Sequence, residues 1–279
     1  MIEHLLFPVD FSPSCSAMAA FVKRAAAMFG AEVTLLHVCD LTSHDGFELY
    51  ARPVTEIAEE HRGLARDRLD EFLLAEFPAA ECPRLLLSGD PAAHISQCAR
   101  DGQFDLIVMP THACRFRRMF LGSTTAKVLT DADCPVLTTQ HAETVVPRPL
   151  EHRVWVCGLS LGEDSERILR QASEAVKTVG AKLQLIHVLD SALRQPPAGS
   201  GQHPAERQAR ARIEGLQQAT GSTAEVSVVI GGLEEVLLTA AREADVLIIG
   251  RKAQTDGHTR ITTLAYDMIR DSPCPVLSV

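Results

Sequence analysis

Asp133-Cys134-Pro135-Val136-Leu137-Thr138 and Pro273-Cys274-Pro275-Val276-Leu277-Ser278 are one phrase written twice, 140 residues apart. The same spacing separates Phe104-Asp105-Leu106-Ile107-Val108-Met109 from Ala244-Asp245-Val246-Leu247-Ile248-Ile249. Nearer the N-terminus, Leu36-His37-Val38 corresponds to Ile186-His187-Val188. Phe7-Pro8-Val9-Asp10-Phe11-Ser12 is matched to Trp155-Val156-Cys157-Gly158-Leu159-Ser160. The upstream offsets are larger, which places insertions in the loops between. A repeat of this length is a whole domain rather than a solenoid unit. The expected domains are 1–142 and 151–279, joined by a stretch carrying Pro147 and Pro149.

Within each copy, short apolar runs alternate with helical periodicity. Strands are expected at 4–10, 32–38, 83–88, 105–109 and 135–139, then at 152–158, 182–188, 224–230, 245–249 and 275–279. Helices are expected at 14–29, 55–77, 91–101 and 122–131, then at 163–179, 204–219, 232–243 and 260–271. Strands apolar on both faces, each followed by a helix, imply an α/β fold with a parallel sheet covered on both sides. The second strand of each copy leads into a long irregular stretch, 40–53 and 190–204, read as surface loops or lids.

Composition narrows the function. The net charge is −9, and residues 1–146 carry 12 Lys and Arg against 20 Asp and Glu. Neither half has the basic surplus of a nucleic-acid binder, so DNA and RNA are not expected partners. No apolar run approaches the roughly 18 residues of a membrane span. Met1-Ile2-Glu3-His4 lacks the basic start of a secretory leader, and the eight cysteines form no CxxC pair. Buried free thiols and a cytoplasmic location are the expectation.

Ligands of doubly wound sheets bind beyond the carboxyl ends of the strands, where the winding reverses. The turns after the first and fourth strands are therefore the candidates. Asp10 stands after the first strand, able to accept from a ligand N–H or O–H or to cap the following helix. After the fourth strand comes Met109-Pro110-Thr111-His112-Ala113-Cys114-Arg115-Phe116-Arg117-Arg118-Met119-Phe120-Leu121-Gly122-Ser123-Thr124. Here a glycine and hydroxyl residues open a helix, the arrangement that receives an anion on backbone N–H groups. Arg115, Arg117 and Arg118 concentrate positive charge in an acidic half, or simply solvate a loop.

On these residues the chain resembles the universal stress protein family along its whole length, as two repeats. The family's nucleotide motif is a strand, Gly-x2-Gly-x9-Gly-Ser/Thr, a helix and Pro-Val-Leu. The resemblance implies doubly wound five-stranded parallel sheets of Rossmann-like type, in the order 3-2-1-4-5. It implies that Asp10 and the backbone around Val38 hold a base and ribose while the glycine loop holds phosphates. The first copy matches at Asp10, Val38, Met109, His112, Gly122, Ser123 and Thr124. It departs at Pro110 and Ala113, which replace two glycines, and the spacer from Ala113 to Gly122 has eight residues. Pro110 removes one N–H donor, and Ala113 adds a methyl group where close approach is wanted. The implied ligand is ATP or a related adenine nucleotide with Mg²⁺, in the first domain, serving a stress-response sensor. The implied assembly is an internal pseudo-dimer through the fifth strands, with a homodimer of chains beyond it. The alternative is the family's other class, a scaffold or small-ligand carrier that binds no nucleotide.

The second copy keeps Gly250 but has Ala253, Thr262-Thr263 in place of Gly-Ser, and Gly158 matched to Asp10. Arg251, Lys252 and Arg260 are its remaining attraction for an anion, and a degenerate site is expected. Gly158-Leu159-Ser160-Leu161-Gly162 spells a nucleophile elbow, with Asp245 and His258 as later partners, but Ser160 is read as the counterpart of Ser12 and a hydrolase is not expected. His94 and Cys98 lie one helical turn apart without further metal ligands. His37 and His187 are expected to be hydrogen-bonded within their strands. No general base stands out, so catalysis beyond slow ATP hydrolysis is not expected.

Overall fold

The computed structural model describes residues 2–40, 54–111, 121–139, 153–193, 203–255 and 258–279. The chain divides into two compact units, one of residues 2–136 with 141–143, the other of 137–140 with 144–279. The strand Val136–Thr139 straddles that division.

In the first unit, β1 (His4–Pro8), α1 (Pro13–Phe29), β2 (Glu32–Cys39), α2 (Val54–Glu71), β3 (Arg84–Ser88), α3 (Pro91–Asp101), β4 (Leu106–Pro110) and α4 (Ser123–Asp131) follow one another. The parallel order is β3-β2-β1-β4. The Ile107 N–H donates to the Pro135 carbonyl (3.0 Å), which lays the entry to the next strand, β5 (Val136–Thr139), beside β4. The second unit holds β6 (Val154–Gly158), α5 (Ser165–Val179), β7 (Lys182–Asp190), α6 (Pro204–Thr220), β8 (Glu225–Gly231), α7 (Leu233–Ala241), β9 (Val246–Ile249), β10 (Lys252–Thr255), β11 (His258–Ile261), α8 (Thr263–Asp271) and β12 (Val276–Ser278). Its parallel order is β8-β7-β6-β9-β12, the expected 3-2-1-4-5.

Local chemistry explains the elements. Ser12 caps α1 by accepting from the Cys15 N–H (3.2 Å), Pro13 supplies a preset φ at its first turn, and Gly30 ends it at φ 69°. Met18, Val22, Ala25, Ala26 and Phe29 form its buried stripe. Gly180 closes α5 in the same left-handed geometry, φ 67°. The central strands Leu5-Leu6-Phe7 and Leu106-Ile107-Val108 are almost completely buried.

Two expectations are corrected. The helix expected over 55–77 stops at Glu71, because Arg84 donates to the carbonyls of Leu69, Phe72 and Phe77 (each 2.8 Å) and Leu73 takes φ 55°. A guanidinium holding those carbonyls caps the helix as further turns would have done. The helix expected from 260 begins at Thr263, and the preceding residues form the antiparallel β10–β11 hairpin.

The backbone also resets the internal alignment. Asp105 Oδ2 accepts from the N–H groups of Glu3 (2.8 Å) and His4 (3.0 Å), and Asp245 Oδ2 accepts from Val154 (2.8 Å). The Val9 N–H donates to the Leu36 carbonyl, as the Leu159 N–H does to Ile186. Phe11 and Leu161 share φ 60°. His4 therefore corresponds to Val154, Pro8 to Gly158, Asp10 to Ser160 and Phe11 to Leu161. The matching of Asp10 with Gly158, and of Ser12 with Ser160, was displaced by two residues.

Candidate functional site

β1 lies between β2 and β4, so the winding reverses between β1 and β4. Asp10 follows the carboxyl end of β1, Val38 is near the end of β2, and Met109 and Pro110 end β4. Val38 and Met109 are buried, Pro110 is half-buried and Asp10 is exposed. Three of the proposed residues, His112, Ala113 and Arg115, lie outside the described residues, as does most of the 40–53 loop.

Asp10 does not cap α1; Ser12 does. Asp10 Oδ1 accepts from the Ser12 N–H (2.9 Å), an Asx turn that fixes the carboxylate at the strand end. Buried Cys15 lies close by, and burial together with the Asp10 carboxylate pushes its thiol up to about 12. A buried thiol so placed stays protonated at physiological pH.

At the other side of the reversal, the Gly122 N–H donates to the Thr111 carbonyl (2.9 Å), and the Thr125 hydroxyl donates to the Pro110 carbonyl (3.1 Å). Thr111 and Gly122 are thus held together at the end of β4. The N-cap of α4 is Gly122 at φ −57°, which has no side chain with which to cap the helix. Among the described residues, a Cβ built on Gly122 would meet nothing nearer than 3.6 Å, so neither its backbone conformation nor its contacts with those residues call for glycine. The first turn of α4 opens with Ser123 and Thr124, offering hydroxyls and backbone N–H groups at its positive end.

The second unit repeats the frame and changes its chemistry. The Thr262 N–H donates to the Arg251 carbonyl (2.9 Å), the same closure as Gly122 to Thr111. Thr262 Oγ1 accepts from the Ala265 N–H (3.1 Å), so α8 caps itself. The backbone of Gly250 is crowded by Ile168, whose Cδ1 would stand 2.5 Å from an added Cβ. Packing against α5 explains that glycine without a phosphate. Arg251, expected to attract an anion, is 2% exposed and donates to the Ser278 carbonyl (2.5 Å). That guanidinium is turned into the protein. Ser160, at the place of Asp10, accepts from the Gly162 N–H (3.4 Å) and brings no charge. Asp245 is engaged at the opposite end of β6 from Ser160, so the hydrolase elbow has no acid partner there.

Sequence reading missed Phe11 and Arg68. The Phe11 ring packs on His37 (centroids 4.2 Å) and edge-on to Phe72 (5.2 Å), and the Arg68 guanidinium lies 4.6 Å from its centroid. His37 Nδ1 donates to the Val9 carbonyl (2.7 Å). Burial pushes the His37 ring below its ordinary pKa; the Val9 carbonyl and Asp10 pull the other way, and Arg68 adds to the fall. The signal lay in the repeat, since Arg66 and Arg68 recur 144 residues on as Arg210 and Arg212. Among the described residues no group of three or more His, Cys, Asp or Glu is placed to hold a metal, and no helix is long and apolar enough to cross a membrane.

The sequence profile of the universal stress protein family matches residues 1–140 and again 153–279. The chain belongs to the universal stress protein family. A universal stress protein from Thermus aquaticus, encoded beside a QAH/OAS sulfhydrylase, is 34% identical over 142 residues, covering 49% of this chain and 98% of the relative. A universal stress protein from Archaeoglobus fulgidus has a similar crystal structure, with TM-score 0.70, 24% identity, and coverage of 100% of this chain and 98% of that one. A functionally unknown protein from Pseudomonas aeruginosa superposes with TM-score 0.61 and 16% identity, covering 100% of this chain and 92% of that one. These structures share the fold, and the chain is a tandem universal stress protein with one copy of the fold in each half.

Proposed function

We propose that this tandem universal stress protein is a nucleotide sensor whose first unit binds ATP or a related adenine nucleotide and whose second unit does not. The observation that carries the reading is the start of α4, where Gly122 brings no capping side chain and is not crowded by the described residues, set against the self-capped start of α8. Phosphates would take the N–H groups and hydroxyls of Ser123 and Thr124, and Asp10 would accept from the ribose. Val38 and Met109 would offer backbone and apolar surface to the base, and His112, Ala113 and Arg115 would belong to the phosphate loop. Mg²⁺ would arrive with the phosphates. The loss of one N–H at Pro110 favours the second reading, a scaffold or carrier for another ligand.

The test is a calorimetric titration of ATP and AMP with Mg²⁺ into the wild type and Gly122→Asp. The added side chain fits the fold but sets a carboxylate where phosphate would lie. Micromolar binding abolished by the substitution is expected. A folded wild type that gives neither heat nor thermal shift replaces this reading with the scaffold.

A further inference from the structure

Each unit contains the same device at the turn leaving its first strand. Phe11 and Leu161 occupy the left-handed region at φ 60°, a strained conformation for a non-glycine residue. In each, the side chain just before it closes a turn onto the N–H two residues on, Asp10 onto Ser12 and Ser160 onto Gly162. A histidine from the neighbouring strand donates Nδ1–H to the carbonyl two residues before the strained one, His37 to Val9 and His187 to Leu159, both at 2.7 Å. An arginine from the helix after that strand bears on the strained residue itself. Arg68 lies over the Phe11 ring, and Arg212 donates to the Leu161 carbonyl (2.6 Å). The helices agree in register: Arg66 donates to the Arg84 carbonyl and Arg210 to Val226.

A strained backbone persists only where its surroundings over-determine it. Here the histidine holds the turn from the sheet side and the arginine from the helix side. Resting on the nucleotide reading of the first unit, we infer that His37 and Arg68 are positioning residues that hold the Val9–Phe11 turn and so fix the Asp10 carboxylate for the ligand. The second unit retains the brace but has Ser160 where the carboxylate would stand, so it serves as an internal control for any purely structural effect.

The test uses the full chain with His37→Phe, His37→Asn and His187→Phe. Phenylalanine keeps a ring against Phe11 and removes the donor. Asparagine sets an amide N–H near the place of Nδ1. Thermal midpoints should fall by similar amounts in His37→Phe and His187→Phe, each losing the same bond. ATP affinity should fall roughly tenfold in His37→Phe, return to within about threefold in His37→Asn, and stay unchanged in His187→Phe. Wild-type affinity in His37→Phe overturns the inference, as does equal weakening in His37→Asn or in His187→Phe. If the wild type binds no nucleotide, the functional reading fails separately. The brace is then decided by the crystal structure of His37→Phe, where an unchanged φ at Phe11 and an intact Asp10–Ser12 contact overturn it.

Discussion

The starts of α4 and α8 share one backbone closure and differ in their chemistry. In both, the N-cap N–H closes a loop onto the carbonyl after the fourth strand of its repeat, 2.9 Å in each case. Gly122 has no side chain with which to cap its helix, whereas the Thr262 hydroxyl takes the Ala265 N–H. The residue whose carbonyl accepts is buried Thr111 in one unit and buried Arg251 in the other, the latter donating back to Ser278. The comparison teaches that the sheet and its closures fix where a site can be, while a handful of side chains decide whether an anion can use it. The second unit has supplied from within what a ligand would supply in the first.

The two glycines separate the units most sharply. Gly250→Ala forces a methyl group into Ile168, itself buried, and should cost about 1–3 kcal/mol, read as a lowered unfolding midpoint. Gly122→Ala should stay within about 0.5 kcal/mol of the wild type, since its Cβ meets only ordinary contacts. Equal losses would mean that Gly122 is a packing glycine and would remove its argument for a ligand.

The next effect lies at the first strand end. Asp10→Ala should weaken ATP roughly tenfold, about the worth of a charge-assisted hydrogen bond, whereas Ser160→Ala should leave it unchanged. Binding that survives Asp10→Ala would move the ribose contact elsewhere.

Exchanging the caps comes third. Thr262→Ala should destabilise the second unit by about 1 kcal/mol. Gly122→Thr should stabilise the first by only a few tenths of a kcal/mol while lowering ATP affinity, because the new hydroxyl occupies an N–H that phosphate would use. Unfolding curves and titrations on the same samples would show whether stability and affinity move in opposite directions.

Acid produces the smallest difference. The Ala93 N–H and then Lys127 hold the exposed Asp90 carboxyl below its ordinary value. A carboxylate lowered in the folded state contributes stability above its unfolded pKa of about 3.9, lost as pH falls below that through the folded value. Amide exchange should show the start of α3, where the Ala93 N–H meets Asp90, losing protection below about pH 4.

Much of the fold was legible because the repeat was long and its strands were apolar on both faces. Asp105 and Asp245, 140 residues apart, indeed hook the first strand of each repeat. The register of that first strand was not legible. Ser12 and Ser160 attract one another in an alignment, but hydrogen bonds from Val9 to Leu36 and from Leu159 to Ile186 set the true correspondence two residues away. Sequence likeness weighs side chains, whereas sheet register is a property of backbone pairing. The end of α2 was hidden for a similar reason, since the capping guanidinium of Arg84 comes from a later strand. Of the candidate site, Asp10 and Gly122 were proposed from residue type and place, whereas the packing of Phe11 and Arg68 beside Asp10 was not legible. A phenylalanine at φ 60° follows no local rule, and only the turn's partners reveal it.

The most direct test of the asymmetry is the number of ATP molecules bound per chain at saturation, measured by calorimetry on the intact wild type with Mg²⁺. One per chain is predicted, falling to none in Gly122→Asp. Two per chain would contradict the assignment of the second unit as closed, and none would contradict the assignment of the first as open.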